Sequence, residues 1–185
     1  DPFISCGLDN LFITLPLFTR LLTTEQYGQY TIYSSWSGIL IIFLTLNLAY
    51  GSFQTAMVKF EGRRDEYITS IQGISVVLCC VFLAVYLPLR NVWNRLFELP
   101  TPFVLLMVAE IIFSTATQLW MEKNRFEFKY KSVVVVTLLT SILSPVIAFI
   151  LVSLVSEKGY ARIFGYAIVN ILIGFILFIY SSQKG

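Results

Sequence analysis

The sequence predicts an all-α membrane protein, a bundle of about six transmembrane helices. Three observations predict it. The 185 residues are 57% hydrophobic and only 13% charged, with a mean hydropathy of +0.77, whereas soluble domains carry about 25% charged residues. The apolar residues gather into runs near the ~20 residues that a helix needs to cross the hydrocarbon core. Finally, stretches such as Ile39-Leu40-Ile41-Ile42-Phe43-Leu44 and Val133-Val134-Val135-Val136 are continuous. They lack the alternation of an outer-membrane barrel strand.

The first span, 3–19, is interrupted by Asp9, Asn10 and Pro16. It lacks the charged-then-apolar order and the cleavage site of a signal peptide. We read it as a span without its beginning. The polar stub 181–185 at the other end makes both ends read as cut, so the chain is expected to be one truncated lobe. The second span is 38–58. Its helix is expected to start at Thr23-Thr24-Glu25-Gln26, which has the form of a capping box. Tyr27, Tyr30, Tyr33 and Trp36 would then lie at the membrane interface. Spans three to six are 68–89, 103–121, 133–155 and 165–180. The connections 20–30, 60–67, 90–102, 122–132 and 156–162 are too short to hold a soluble domain.

Lys and Arg placement sets the expected orientation. One side carries Lys59, Arg63, Arg64, Lys123, Arg125, Lys129, Lys131 and Lys184. The other carries Arg20, Arg90, Arg95, Lys158 and Arg162. The richer side should be cytoplasmic, which puts both chain ends in the cytoplasm.

The composition also excludes chemistry. There is no histidine, and with it go the commonest metal ligand and the usual neutral-pH acid or base. Cys6, Cys79 and Cys80 lie in apolar runs without zinc-site spacing. There is no Gly-rich phosphate loop and no nucleophile–base pair. We expect no enzyme, no metal and no bound cofactor. A net charge of +2 gives no reason to expect nucleic acid.

Polar groups inside spans are expensive and usually face a bundle interior. Asp9 and Glu110 are the deepest ionisable groups. Asp9 and Arg20 share one face of the first span, roughly 16 Å apart. Glu110, Ser114, Thr117 and Gln118 form a stripe on the fourth span, and Asn47, Gly51, Gln54 and Thr55 one on the second. Thr137, Thr140, Ser141 and Ser144 mark the fifth span; Tyr166, Asn170 and Gly174 mark the sixth. Converging polar faces suggest a hydrated cavity. The competing reading is that these side chains hold helices together by interhelical hydrogen bonds.

The stretch Pro16-Leu17-Phe18-Thr19-Arg20-Leu21-Leu22-Thr23-Thr24-Glu25-Gln26-Tyr27-Gly28 resembles the first-loop signature of Wzx-type polysaccharide flippases. Tyr33-Ser34-Ser35-Trp36, Lys59-Phe60-Glu61-Gly62-Arg63-Arg64-Asp65-Glu66-Tyr67, Arg125-Phe126-Glu127-Phe128-Lys129-Tyr130-Lys131 and Ala161-Arg162-Ile163-Phe164-Gly165 resemble later parts of the same family.

The resemblance implies the N-terminal lobe of a MATE-like fold, in which two lobes enclose a central cavity. It implies translocation of undecaprenyl-pyrophosphate-linked oligosaccharide repeat units, of O-antigen or capsule type, across the bacterial inner membrane by alternating access. Partners would be membrane lipid, the lipid-linked oligosaccharide, a missing C-terminal lobe, and polysaccharide polymerase or assembly proteins. On this reading Arg20, Asn47, Gln54, Lys59, Arg63 and Gln118 line the substrate cavity. The cations would hold pyrophosphate by charge-assisted bonds, and the amides would meet sugar hydroxyls. Asp9 and Glu110 would be ion-coupling groups, with H+ or Na+ as candidate ions. Rival readings are a MATE-type drug/cation antiporter lobe and a non-transporting membrane scaffold subunit.

Overall fold

The computed structural model describes residues 23–46, 53–60, 62–155 and 158–182. The predicted span 3–19 and the candidate residues Asp9, Arg20 and Asn47 lie outside them. Among the described residues every regular element is a helix: α1 (Thr24–Thr45), α2 (Phe53–Lys59), α3 (Arg64–Tyr86), α4 (Arg90–Phe97), α5 (Thr101–Phe126), α6 (Tyr130–Leu154) and α7 (Lys158–Ser182). Four of these are long and apolar enough to cross a membrane: α3, α5, α6 and Lys158–Ile179 of α7. The chain is an all-α membrane protein.

The start of α1 follows from its sequence. The Thr23 hydroxyl accepts from Gln26 N at 3.3 Å, and Gln26 Oε1 accepts from Thr23 N at 3.2 Å. Two otherwise orphaned amides are thereby satisfied, as in a capping box. The second span differs from expectation. In place of an apolar helix over 38–58, α1 runs from Thr24 to Thr45 and stops at Leu46, whose φ is +49°. The short α2 follows as a separate element. Left-handed backbone at a non-glycine residue costs about 1–2 kcal/mol.

α3 begins at Arg64, ahead of the expected 68, with Asp65 and Glu66 in its first turn. Carboxylates there complement the positive end of the helix dipole. α4 was not expected; connection 90–102 reads as a polar loop. It forms because Trp93 and Phe97, one turn apart, turn onto the bundle, where Phe97 is buried against Trp36 at 4.7 Å between rings. Asn94 ties it down: Tyr86 Oη donates to Asn94 Oδ1 at 2.7 Å, and Asn94 Nδ2 donates to Thr101 Oγ1 at 2.9 Å.

α5 is the central helix. Pro102 sits in its first turn, where a missing N–H is harmless. Phe103, Val104, Met107, Val108, Ile111 and Leu119 are buried along it. α7 packs against α1, α5 and α6. In lipid, helices associate by close packing rather than by a hydrophobic driving force, which favours small residues at contacts. Two close approaches use glycine. A Cβ on Gly165 would lie 2.4 Å from Ala148 Cα of α6, and one on Gly174 would lie 2.3 Å from the Phe113 carbonyl oxygen of α5. α6 is the outermost helix, with Val134, Val135, Leu138, Leu139 and Ile142 exposed.

Candidate functional site

Glu110 lies in the apolar middle of α5 and is half-buried. Its Oε2 accepts from Tyr33 Oη of α1 at 2.7 Å, and its Oε1 accepts from Asn170 Nδ2 of α7 at 2.9 Å. Both carboxylate oxygens are thus engaged, each by a different helix. Tyr33 is 5% exposed. A hydrogen bond to a charged acceptor contributes about 1.5–3 kcal/mol net, so this node is a substantial part of how α1 and α7 are held to α5.

The node continues along the α1–α7 contact. Arg162, Tyr166 and Asn170 recur every four residues on α7, while Tyr27, Tyr30 and Tyr33 recur every three on α1. The Arg162 guanidinium, on a residue 5% exposed, lies 3.9 Å from the centre of the Tyr30 ring and 5.3 Å from that of Tyr27. The Tyr30 and Tyr166 rings are 6.1 Å apart. A cation over an aromatic face is stabilised by about 2 kcal/mol when desolvated. The result is a polar seam between two helices, with a guanidinium towards one end and a carboxylate towards the other.

Tyr27, Tyr30, Tyr33 and Trp36, read from the sequence as interfacial anchors, pack into the bundle, where Glu110, Arg162 and Phe97 supply their partners. Arg162, read from the sequence as an orientation signal and as part of the family resemblance, is buried in the seam. Its signal was present in the sequence, since extending the Tyr166, Asn170, Gly174 stripe back by one turn reaches Arg162.

The remaining candidates lie elsewhere. Gln118, eight residues beyond Glu110 and so about 12 Å further along α5, is buried with no hydrogen-bond partner for Nε2. It sits beside Leu119, which packs with Phe53, Met57, Ile68 and Ile71. Ser114 and Thr117 spend their hydroxyls on their own helix, at the Ile111 and Phe113 carbonyls. Thr140 does the same at Val136 and Thr137. Within the α5 stripe, Glu110 bonds to other helices, through Tyr33 of α1 and Asn170 of α7.

Gln54 is exposed on α2, and Lys59 is exposed at its end. Arg63 is an exposed residue whose Nε and Nη2 donate to Glu66 Oε2 at 2.8 and 2.5 Å. Those bonds, and the Glu66 charge, push its guanidinium further above its ordinary pKa. Arg64 points inward, with Nε donating to the Met57 carbonyl at 3.0 Å and the guanidinium 4.9 Å from the Phe126 ring. Lys123 of α5 pairs with Asp65 of α3 and lies 3.8 Å from Glu127. The basic residues of the two connections therefore gather at one end of the bundle, remote from the Glu110 node.

A family model described as polysaccharide biosynthesis protein matches residues 4–184. The chain belongs to that family. Searches of curated proteins and of solved structures return no match. The family match covers the whole described bundle, so the Glu110 node and the Arg162 seam, built from α1, α5 and α7, are features of a polysaccharide biosynthesis membrane protein.

Proposed function

We propose that this chain is one lobe of a transporter that moves undecaprenyl-pyrophosphate-linked oligosaccharide repeat units across the bacterial inner membrane by alternating access. The observation that carries the reading is the Glu110 node. An ionisable group deep in an apolar bundle marks a functional site by default, and this one joins three helices of a polysaccharide biosynthesis protein.

The physical logic runs through the carboxylate. As an anion, Glu110 accepts at both oxygens. Binding H+ or Na+ changes that bonding, so the ion biases the position of α1 and α7 relative to α5. A ligand shifts a conformational equilibrium only through such differential interaction. The cargo has a polar head that lipid rejects and a prenyl tail that lipid accepts. Arg20, Lys59 and Arg63 are proposed to attract its pyrophosphate. Asn47, Gln54 and Gln118 are proposed to meet sugar hydroxyls. A second lobe completes the cavity, and rocking of the lobes exposes it to each side in turn.

A second reading has an observation of its own. Because both oxygens of Glu110 are already bonded to neighbouring helices, the node also suits a non-transporting subunit in which it is helix glue. Glu110→Gln in the full-length protein separates the two. The transport reading expects normal protein level, reduced surface polysaccharide and altered ion dependence. Normal polysaccharide with unaltered ion dependence removes Glu110 from coupling. Loss of folded protein without a change in the activity per molecule supports glue.

A further inference from the structure

The turn joining α5 to α6 carries a feature that the proposed transport cycle does not use. A groove of about 420 Å³ opens outward there, lined by Arg125, Tyr130, Val133, Val134, Thr137 and Leu138. Arg125 stands fifteen residues along α5 from Glu110, about 22 Å at the helical rise. The turn itself is well defined. Phe128, at φ +58°, follows the helix end, Phe128 N donates to the Arg125 carbonyl at 3.1 Å, and Lys129 N donates to that of Asn124 at 2.8 Å. This pair of bonds is the Schellman arrangement, and it sets Arg125 and Tyr130 side by side at the groove mouth.

The groove has two chemistries. Its mouth is net cationic: over 122–131 there are four basic residues, Lys123, Arg125, Lys129 and Lys131, against Glu122 and Glu127, with Lys123 paired to Asp65 of α3 and Lys129 to Glu127. Glu122 accepts from Nη1 of Arg125 at 2.9 Å, and a guanidinium has five donors, so others are available to an anion. The floor is apolar. Val134 and Leu138 are 53% and 54% exposed, and the Thr137 hydroxyl is directed at Met121 Sδ, 3.8 Å away. The floor continues into the exposed apolar face of α6 at Leu139, Ile142 and Val146. From Tyr130 to Leu138 is about 12 Å along the helix. A cationic mouth at the polar end of two spans, opening onto an apolar strip, matches a phosphate joined to an acyl chain. A soluble anion would leave the floor bare, and a purely apolar ligand would leave the remaining Arg125 donors unmet.

We propose that this groove binds one anionic phospholipid of the surrounding bilayer. Its phosphate lies against the remaining donors of Arg125 and the Tyr130 hydroxyl, with Lys131 adding charge. The upper part of one acyl chain covers Val133, Val134 and Leu138. Basic pockets at the polar ends of transmembrane helices recognise lipid headgroups in this way.

The test places a reporter on the floor. Leu138→Trp is made in the full-length protein, reconstituted in phosphatidylcholine vesicles, and its fluorescence is corrected for the unsubstituted protein. Brominated phosphatidylglycerol is expected to quench the added Trp at a mole fraction about fivefold lower than brominated phosphatidylcholine does. Adding Arg125→Ala is expected to abolish the preference, and adding Arg95→Ala, an exposed cation on α4, to leave it intact. Equal quenching by the two lipids, or a preference that survives Arg125→Ala, overturns the proposal. So does displacement of the brominated phosphatidylglycerol by a soluble short-chain prenyl pyrophosphate, which assigns the groove to cargo. If Arg125→Ala does not accumulate, the two-lipid comparison in Leu138→Trp alone decides.

Discussion

Tyr33 Oη donates to Glu110 Oε2 at 2.7 Å across 77 residues of chain, joining a capped, half-polar helix to the central apolar one. The hydroxyl is the only polar atom of the Tyr33 side chain, so Tyr33→Phe isolates the bond. It should lower stability by about 1.5–3 kcal/mol, because the carboxylate loses a donor it cannot replace from lipid. Thermal unfolding of the purified protein in detergent checks this. Combined with Glu110→Ala, which removes the acceptor, the two losses should be smaller than additive, since each alone removes the same bond. Full additivity would mean that the bond contributes nothing.

The Gly174 contact allows a sharper steric prediction. A Cβ there would lie 2.3 Å from the Phe113 backbone oxygen, and backbone cannot move aside cheaply. Gly174→Ala should therefore destabilise by about 1–3 kcal/mol. Gly73, exposed in the middle of α3, has nothing within 4 Å of its added Cβ. Gly73→Ala should stabilise by about 0.5–1 kcal/mol, since alanine is the better helix former. Paired melting curves of the two variants distinguish a packing glycine from a tolerated one.

Lys123 bridges two spans through Asp65, with side chains 17% and 36% exposed respectively. Replacing Lys123 by Met keeps much of its length and removes its charge. We expect a loss of about 1 kcal/mol, the upper end for partly exposed pairs. The exchange Asp65→Lys with Lys123→Asp should recover part of it. Urea unfolding at low and high salt provides the check; wild type and the exchanged variant should respond alike, and Lys123→Met less.

Phe128 occupies the left-handed position that glycine prefers at a helix end, and it is 78% exposed. Phe128→Gly should raise stability by about 1 kcal/mol, because it removes the steric cost at positive φ. A fall in melting temperature would show instead that its ring contact with Tyr130, 6.0 Å between centres, outweighs the backbone term.

Much of the architecture was legible in the sequence because lipid simplifies the problem. Backbone groups must bond within their own segment, so continuous apolar runs such as 133–155 read directly as helices. The cap at Thr23 was legible because it needs only local atoms. α4 was missed because its two anchoring residues, Trp93 and Phe97, are flanked by Arg90, Asn91, Asn94 and Arg95, and local polarity hid them. The end of α1 at Leu46 was not legible, because hydropathy does not register a left-handed residue. Among the candidate residues, Glu110 stood out through the cost of burying its charge. Gln54, Lys59 and Arg63, read as substrate-cavity residues, are exposed at another end of the bundle from Glu110, a separation that residue type alone does not reveal.

The sequence by itself determined that this is a helical membrane protein, where most of its helices run, and that Glu110 must find partners or a function inside an apolar bundle. Only the tertiary structure decided that those partners are Tyr33 and Asn170, that Arg162 is buried against Tyr30, and that tyrosines suited to a membrane surface turn inward. The physical reason is that helix formation and membrane insertion depend on neighbours a few residues apart. A carboxylate in lipid must be met by whichever donors the packing of distant helices brings within 3 Å, and no local pattern encodes that meeting.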